Sequence, residues 1–377
     1  MSAGAAATGG GLTYAAAGVD TEAGDTAVEL MKAAVRATHG PQVLGGVGGF
    51  AGLWDASALT AYRRPLLATS TDGVGTKVAI AQALDRHDTI GFDLVGMVVD
   101  DIVVVGAAPL FMTDYIACGR VVPERIADVV RGIAAACAVA GTALVGGETA
   151  EHPGLMAPDE YDVAGAATGV VEADALLGPD RVRAGDVLVA LGSSGLHANG
   201  YSLVRAVVAR SGWGLERHVD ELGRTLGEEL LEPTRVYAAD CLALVAEAGP
   251  GAVHAFSHVT GGGLAANVAR VLPTGLVADV DRGGWAVPAV FSLVQELGGV
   301  PWRDLERTLN LGVGMVAVVA PEAADAVTAH ARRLGLTAWE LGTVRALTDD
   351  DATRPGLVAG TKGVDGGAVL LHGSYRC

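Results

Sequence analysis

Clusters of glycine and polar residues recur along the chain, each beside a short apolar segment. Residues 66–71 have the composition of a strand and run into STDGVGTK (70–77), which precedes a predicted helix. The clusters GGETAEHPG (146–154) and GSSGLHANGYS (192–202) also follow predicted strands, and HVTGGG (258–263) precedes a helix. Because strands and helices are mixed in this way throughout, the sequence predicts an α/β (α+β) fold.

The length of 377 residues allows two domains, each large enough to bury its own core. The segment LLGPDRVRAG (176–185) breaks the hydrophobic pattern, and we place the boundary there. The predicted organisation is a flexible N-terminus at residues 1–20, a first domain at 21–176, a second α/β domain at 177–348 and a peripheral tail at 349–377.

Hydrophobic spacing and turn residues predict the individual elements. Asp25 is a candidate N-cap for a helix that ends near His39, and Pro123 suits the first turn of another. The other predicted helices are residues 92–105, 201–210, 233–248 and 263–271, and the other predicted strands are residues 110–117, 142–146, 162–171 and 186–191.

The formal charge of −17 repels nucleic-acid phosphates, so we expect no nucleic-acid partner. Anionic ligands must then be held locally, by glycine-rich backbone, helix N-termini, a few cations or Mg²⁺. The best candidate for a membrane span, residues 132–147, is broken by glycines and shorter than the roughly 20 residues required, so we expect no membrane association. The N-terminus lacks a secretion signal and the four cysteines lack metal or redox spacing, which predicts a cytoplasmic protein.

The cluster STDGVGTK is the strongest candidate site. Its glycines let the backbone approach an anion closely, and successive N–H groups form a concave anion site. Lys77 adds a point charge, and Asp72 offers a hard oxygen ligand for Mg²⁺. The spacing is not that of a P-loop, and the alternative is a tight strand–helix turn whose polar residues are caps. The candidate cofactor-binding residues here are Thr71, Asp72, Gly73, Gly75, Thr76 and Lys77.

A predicted helix carries three further aspartates, Asp93, Asp100 and Asp101. Positions seven or eight apart share a helix face about 11 Å apart, too far for one ion but suitable for flanking a metal–triphosphate from two ends. The intervening residues are apolar and the run at 102–105 is β-branched, so the segment is expected to be buried, and a buried carboxylate needs a cation. The alternative is an acidic, solvated face.

Glu148 follows Gly146 and Gly147, where it can reach a metal or a substrate, whereas Glu151 and His152 could equally be loop surface.

Two later clusters each combine glycines with a histidine. The first contains Ser194, His197 and Asn199 at a strand-to-helix junction. The second contains His258, Thr260 and Gly261, before a helix with Asn267 and Arg270. Both offer N–H groups and polar side chains to a phosphate or a carbonyl. The sequence has neither a Ser/His/Asp nucleophile pattern nor a close Cys/His set for zinc.

In their order, these motifs resemble the phosphoribosylformylglycinamidine cyclo-ligase (aminoimidazole ribonucleotide synthetase) family of purine biosynthesis. The likeness runs from Thr13 to about residue 345, through GGVGGF, STDGVGTK, RHDTIGFDLV, DDIVVVGAAPLF, LVGGETAEHPG, YDVAGAATGVVE, LGSSGLHANGYSLVR, LEPTRVY, HVTGGGLAANVARVLP and LNLGVGM. Any one motif is weak, but their number and order are specific.

The resemblance implies a homodimer whose N-terminal domains bind ATP and pair through a β-barrel-like interface, with C-terminal α/β domains that bind substrate. It implies that ATP with Mg²⁺ phosphorylates the amide oxygen of formylglycinamidine ribonucleotide. The amidine nitrogen would then attack the carbon of this iminophosphate intermediate, giving 5-aminoimidazole ribonucleotide, ADP and phosphate. Such chemistry depends on positioning and charge neutralisation.

The resemblance also implies roles for individual residues. The expected metal ligands are Asp72, Asp101 and Glu148, and the expected catalytic residues are Lys32, Asp72, His197 and His258. The expected nucleotide-binding residues, besides those of STDGVGTK, are Gly45, Gly46, Gly48 and Gly49 of a mobile lid, Asp101, Gly146, Gly147 and Glu148. The expected substrate-binding residues are Ser194, Asn199, Thr260, Gly261, Asn267 and Arg270.

The chain departs from the family pattern at Asp100 (usually Asn), Ala108 (usually Glu), Ala198 (usually Ser) and Ala269 (usually Pro). Asp100 adds a negative charge that could change the number of metal ions. Three alternatives remain: a small-molecule kinase of the same superfamily, a carbamoyl dehydratase acting through the C-terminal Cys377, or a non-catalytic nucleotide-binding subunit.

Overall fold

The structure is a computed structural model that describes residues 18–360 and 366–376. Most of the predicted flexible N-terminus and Cys377 lie outside these residues. The predicted α/β (α+β) class is confirmed, with helices and sheets in both halves of the chain.

The first half is built on a four-stranded sheet with order β3-β6-β4-β5. Its elements in chain order are α1 (Thr21–Ala37), β1 (Val43–Leu44), β2 (Leu53–Trp54), β3 (Pro65–Gly73), α2 (Val78–Leu84), α3 (Ile90–Val103), β4 (Ala108–Cys118), α4 (Pro123–Ala140), β5 (Ala143–Glu151) and β6 (Tyr161–Glu172). β4 and β5 are parallel, and the other pairs are antiparallel. α3 packs on β3 and β6, and α4 packs between α3 and α1.

The second half is built on a mixed seven-stranded sheet with order β10-β12-β7-β13-β11-β15-β14. Its elements in chain order are β7 (Val187–Gly192), α5 (Tyr201–Ser211), β8 (His218–Val219), β9 (Arg224–Thr225), α6 (Leu226–Leu230), α7 (Ala238–Ala248), β10 (Val253–His258), α8 (Gly263–Arg270), β11 (Leu276–Asp281), α9 (Ala289–Gly298), α10 (Trp302–Leu305), β12 (Val313–Val319), α11 (Ala324–Arg333), β13 (Ala338–Ala346), β14 (Leu357–Ala359) and β15 (Ala368–His372). Four strands of this sheet run in the same direction, so their C-terminal ends lie on the same side of it: β7, β10, β11 and β15.

One continuous hydrophobic cluster runs through both halves. It includes Ile102 and Met112 from the first half and Leu191 and Phe256 from the second, all fully buried or nearly so. Since α3 packs against α7 and β10 as well as its own sheet, this helix links the two halves.

Two predicted helix starts are wrong. α1 begins four residues before Asp25, because the side chain of Asp20 accepts hydrogen bonds from the N–H groups of Glu22 and Ala23. α7 begins at Ala238 rather than at 233, because the N–H groups of Thr234 and Tyr237 donate to carboxylates of α3.

The C-terminal segment also differs from prediction. Residues 357–372 were expected in a peripheral tail, but β15 pairs in parallel with β11, and β14 pairs with β15. Val369 and Leu370 are fully buried. This segment therefore completes the second sheet, which the continuous apolar run in AVLLH (368–372) could have indicated.

One face of the first sheet is open. Along β3, Leu67, Thr69 and Thr71 are exposed and alternate with half-buried residues. Tyr115 on β4 is also exposed, while Met112 and Ile116 face the helices. In the part of the chain that the structure describes, no helix is long and apolar enough to cross a membrane.

Candidate functional site

The cluster STDGVGTK lies at the end of β3, as predicted. Asp72 is exposed, and its carboxylate accepts a hydrogen bond of 2.7 Å from the N–H of Gly73. Gly75 has φ +72°, in the left-handed region that favours glycine, and opens a short 3₁₀ turn into α2. The hydroxyl of Thr76 lies 3.3 Å from that of Ser202 on α5. The cluster therefore lies at the boundary between the two halves.

Lys77 lies at this boundary but has no accessible surface there, so its predicted position near phosphates is wrong. Its side chain is fully buried, with Nζ 2.7 Å from Asp93 Oδ1. The same ammonium donates to the carbonyls of His197 and Glu232, at 3.0 and 2.5 Å. An ammonium has three donors, so all of them are satisfied within the protein. Lys77 thereby joins the first half of the chain to two loops of the second.

Asp93 completes this buried pair. Its Oδ1 accepts from the N–H and hydroxyl of Thr234, at 3.0 and 2.6 Å, besides Lys77. Burial raises the pKa of Asp93 and lowers the pKa of Lys77, and their mutual attraction opposes both changes. The expectation that a buried carboxylate here needs a cation is confirmed, but the cation is a lysine rather than a metal ion.

Asp100 is also turned inward. It is fully buried, and its two oxygens accept from the N–H of Tyr237 at 2.9 and 3.0 Å. Burial raises the pKa of Asp100 to about 7, although the charge of His258 and the backbone hydrogen bonds oppose this. The departure from Asn at this position therefore adds a carboxyl group beneath the site. The prediction that Asp93 and Asp100 flank a metal–triphosphate is wrong for both.

Asp101 is the acidic residue of α3 that remains open, with 45% of its side chain exposed. Its Oδ1 lies 2.9 Å from Nδ1 of His258, at the end of β10. Burial lowers the pKa of His258, but the hydrogen bond to Asp101 and the charges of Asp100 and Asp72 outweigh it, so the pKa is raised. Nε2 of His258 is buried and has no hydrogen-bond partner among the described residues. Asp72, Asp101 and His258 thus form one charged group between the halves.

His197 was predicted to face the substrate, but its side chain is buried. Its ring is buried beside Tyr237, and Nε2 lies 3.2 Å from the N–H of Ser194. Burial lowers the pKa of His197 well below its usual value, and nearby positive charges act in the same direction. His197 has φ +62°, so it holds the left-handed turn before α5. We assign it to shaping this loop.

The other predicted substrate residues differ in accessibility. Ser194 is tied to the backbone of residues 233 and 235, and Asn267 is buried against the carbonyls of Thr260 and Gly263. Asn199 is half-buried, with Nδ2 3.0 Å from Met97 Sδ, and a Cβ added at Gly261 would lie 3.2 Å from its Oδ1. These contacts bring the two glycine clusters together against α3.

Thr260 and Gly261 are half-buried, whereas Arg270 is exposed at the end of α8. Arg270 Nη1 lies 3.3 Å from Asn267 Oδ1. The structure therefore leaves Asn199, Thr260, Gly261 and Arg270 with accessible surface for a ligand.

A separate pocket of about 310 Å³ lies between α1, the glycine-rich segment GGVGGF and β5. Gly46, Gly48 and Gly49 line it, with apolar side chains such as Val28, Met31 and Val47. Gly45, with φ +83°, precedes them in the connection from β1 to β2. Lys32, on α1, pairs with Glu29 on the same helix and is half-buried.

The polar side of this pocket contains a carboxyl group that the sequence analysis missed. Asp114, in the middle of β4, lines the pocket together with Gly146, Gly147 and Glu148. Burial raises the pKa of Asp114 to about 7. A Cβ at Gly147 would lie 1.8 Å from Asp114 Oδ1, so glycine at this position makes room for the carboxyl group. A lone aspartate within a predicted strand was the available signal.

Glu148 lies inside β5, opposite Tyr115, rather than in the loop that was predicted after residue 146. Of its neighbours, Glu151 accepts hydrogen bonds from the N–H groups of Asp20 and Val121, and His152 Nε2 lies 3.1 Å from Tyr115 Oη. Those two residues therefore organise the end of this sheet.

The predicted metal ligands do not converge within one chain. Across the sheet, Asp72 on β3 is in register with Gly165 on β6, Asp114 on β4 and Gly147 on β5. The two edge strands, β3 and β5, are therefore three strand spacings, or about 14 Å, apart. Asp72 and Asp101 both lie near His258, but Glu148 is at the opposite edge. Among residues 18–360 and 366–376, no three His, Cys, Asp or Glu side chains form a metal-binding group.

Most of the chain matches two known domain families. Residues 54–171 match the AIR synthase related protein N-terminal domain, and residues 183–353 match the corresponding C-terminal domain. The chain belongs to the AIR synthase family. A curated relative from Anaeromyxobacter sp. (strain Fw109-5), named phosphoribosylformylglycinamidine cyclo-ligase, is 53% identical over 343 residues, covering 90% of this chain and 97% of the relative. A relative of the same name from Desulfitobacterium hafniense (strain DSM 10664 / DCB-2) is 49% identical over 334 residues, covering 89% of this chain and 97% of the relative.

Solved structures share the AIR synthase fold at lower sequence identity. Thiamine-monophosphate kinase from Stenotrophomonas maltophilia K279a superposes with a TM-score of 0.65 at 20% identity, covering 92% of this chain and 96% of the kinase. The hydrogenase maturation protein HypE in complex with ATP superposes with a TM-score of 0.59 at 22% identity, covering 90% and 91%. At these identities, the likeness extends to the fold.

Proposed function

We propose that the protein catalyses the ATP-dependent cyclisation of formylglycinamidine ribonucleotide to 5-aminoimidazole ribonucleotide, with release of ADP and phosphate. The observation that carries this proposal is the contact between Asp101 and His258, which brings the acidic motif of the first half against the HVTGGG cluster of the second. Relatives of about half identical sequence and nearly the same length, both named cyclo-ligase, support it.

The donor set between the halves fits Mg²⁺ in part. Asp72 and Asp101 offer hard carboxylate oxygens, and both are accessible, whereas Asp93 and Asp100 are taken up inside the protein. Asp72 and Asp101 would hold the ion in one chain, and Glu148 would not contribute to the same site. When bound, Mg²⁺ supplies neutralisation of phosphate charge.

The protein's own groups would bind and orient the reactants. In the glycine clusters, the N–H groups of Gly73, Val74 and Gly263 already donate within the protein, so we assign contact with phosphate or with the substrate amide to the accessible side chains of Asn199, Thr260 and Arg270. Nε2 of His258 is buried and lacks a partner among the described residues; we infer that substrate binding exposes it to a hydrogen bond with the substrate, while Asp101 fixes the ring through Nδ1. We assign the nucleotide's ring to the apolar pocket beneath GGVGGF, with Glu148 and Asp114 at its polar side.

We further propose that the protein is a homodimer through the open face of the first sheet. Leu67 and Tyr115 are 64% and 40% exposed on this face, although an apolar sheet face is normally covered. A second copy would close the two sheets into a barrel-like interface. Sedimentation velocity tests this: the wild type should sediment as a dimer and Leu67→Asp as a monomer, with Leu155→Asp, another exposed leucine, as the control.

We place the enzyme in the cytoplasm. The three cysteines of the described residues, Cys118, Cys137 and Cys241, are buried free thiols, which suits a reducing compartment.

The decisive experiment is formation of the aminoimidazole product from formylglycinamidine ribonucleotide and ATP, detected colorimetrically together with ADP. Product should require Mg²⁺, and Asp72→Asn and Asp101→Asn should each lower turnover by about 100-fold while the thermal midpoint changes little. Nucleotide binding without product, in the presence of substrate and Mg²⁺, would refute the proposed activity.

A further inference from the structure

A second cavity, of about 690 Å³, lies in the second half, away from Asp101 and His258. It opens between α10, the turn at residues 354–356 and the end of β15. β10, which ends at His258, is four strand spacings, or about 19 Å, from β11 in the sheet. The cavity is therefore distinct from the site already described.

Three arginines line this cavity in a chain that has only 26 basic residues and a charge of −17. Arg282 is neutralised, because Glu306 accepts two hydrogen bonds from it at 2.8 and 2.9 Å. Arg303 has no ion pair with a carboxylate in the part of the chain that the structure describes. Arg303 is exposed, so its charge is available to a ligand.

Arg354 is the second available cation. Its only carboxylate contact among the described residues is a 3.5 Å approach to Asp351. Asp351 is already held by Arg345 through two hydrogen bonds of 2.7 and 2.8 Å. Among the described residues, the contacts of His372, also in the lining, with carboxylates are long, at 3.7 Å to Asp279 and 4.0 Å to Asp281. The cavity can therefore accept an anionic group without breaking a short ion pair.

The same cavity has an aromatic wall. The rings of Trp302 and Tyr375 lie 5.2 Å apart between centroids, and both line the cavity. The hydroxyl of Tyr375 donates to Glu306 at 2.9 Å, which fixes the ring. Arginine side chains suit phosphate, and fixed aromatic side chains suit a flat ring. Together they select a ligand that carries both.

We propose that this cavity binds a phosphorylated ligand with a flat ring, of the nucleoside monophosphate class, with Arg303 and Arg354 contacting the phosphate and Trp302 contacting the ring.

The cavity also contacts the HVTGGG cluster through Glu306. The carbonyl of Glu306 is so close to Gly263 that a Cβ there would lie 1.9 Å from it. The carboxylate of the same residue holds Arg282 and Tyr375 in the cavity. A ligand that shifts these side chains moves the backbone against which the cluster packs, and so changes substrate affinity. The change in substrate affinity rests on the proposed function, whereas the binding of the phosphorylated ligand does not.

Equilibrium dialysis with radiolabelled AMP, without substrate, tests the binding directly. AMP should bind the wild type, and R303E/R354E should weaken binding at least tenfold, because two favourable charges are reversed. The control R210E/R333E makes the same charge change on exposed arginines elsewhere and should bind AMP like the wild type. Thermal melting should show that both variants are folded.

Two outcomes would overturn the proposal. Equal AMP affinity of wild type and R303E/R354E would place the nucleotide elsewhere, for example in the pocket beneath GGVGGF. Displacement of AMP by inorganic phosphate at equal concentration would show that the ring contributes nothing. A saturating AMP concentration should also change the KM for formylglycinamidine ribonucleotide in the wild type but not in R303E/R354E. If no product forms while dialysis shows AMP binding, the proposed function is refuted and the binding site is not. If product forms with a KM that AMP leaves unchanged, only the coupling to the HVTGGG cluster is refuted.

Discussion

Asp101 and His258 are 157 residues apart in sequence, yet Oδ1 of the aspartate lies 2.9 Å from Nδ1 of the histidine. One belongs to the α3 helix of the first half and the other to the end of β10 in the second. This contact fixes the imidazole ring and leaves Nε2 without a partner among the described residues. The two ring nitrogens therefore have separable roles.

Replacement of His258 by Asn and by Leu separates these roles. Asn retains a donor near the position of Nδ1, whereas Leu removes both nitrogens. We expect both variants to lower kcat/KM by about 100-fold, because both lack Nε2. Only His258→Leu should also weaken ATP binding in the presence of Mg²⁺, because Asp101 loses its partner. Steady-state kinetics and calorimetric ATP titration measure the two effects, and wild-type turnover by His258→Asn would show that Nε2 has no role.

Lys77 and Asp93 predict a stability effect rather than a binding effect. Lys77→Met should lower the free energy of unfolding by about 3–5 kcal/mol, because it leaves a buried carboxylate without its cation. The double variant Lys77→Met/Asp93→Leu should recover part of this loss, since neither charge then remains buried. Urea unfolding of the wild type and the variants measures it. A Lys77→Met protein of normal stability that no longer binds ATP would contradict this assignment and restore the predicted phosphate contact.

Asp100 predicts a pH-dependent stability difference. Its pKa is about 7 in the folded protein and near 3.8 when exposed, so its contribution to stability is fully present below pH 4 and is lost as the pH rises through 7. Because asparagine does not ionise, Asp100→Asn avoids this loss of stability at higher pH. The variant should therefore gain stability relative to the wild type between pH 4 and pH 8, by up to about 4 kcal/mol.

Urea unfolding at both pH values measures this gain, with Asp350→Asn, an exposed aspartate, as the control. A difference between Asp100→Asn and the wild type that is the same at pH 4 and pH 8 would contradict the assignment of a raised pKa. The activity of Asp100→Asn should stay near that of the wild type, because this carboxyl group faces Tyr237 rather than the cleft.

The sequence was sufficient to predict features that depend on neighbouring residues. The strand, glycine turn and helix around Asp72 follow from local turn chemistry, and the structure has them where they were expected. The burial of α3 follows equally from its apolar composition. Such patterns are local, so a single sequence contains them.

The partner of each buried carboxylate could not be predicted in this way. Thr234 is 141 residues from Asp93, and nothing in the local sequence of either indicates the other. The same contacts delay the start of α7, because they hold residues 234 and 237 against carboxylates two turns apart on α3 and so keep this segment extended. The glycine-rich neighbours of Lys77 predict a phosphate ligand, whereas its side chain turns into the core.

Gly263 provides the sharpest test of the HVTGGG cluster. It has φ +73°, and an added Cβ would lie 1.9 Å from the carbonyl of Glu306, so Gly263→Ala must displace the backbone of the cluster. Gly275→Ala is a matched control, because Gly275 has φ +87° but nothing lies within 4 Å of its added Cβ. Both variants should lose about 1 kcal/mol of stability from the left-handed backbone, and Gly263→Ala should lose more because its Cβ meets the backbone of Glu306; urea unfolding measures both losses. Only Gly263→Ala should raise the KM for formylglycinamidine ribonucleotide, by tenfold or more, with the KM for ATP changed less than twofold.

Equal KM values for the two variants would mean that the HVTGGG cluster does not contact the substrate. A selective rise in the KM for ATP would assign the cluster to the nucleotide instead.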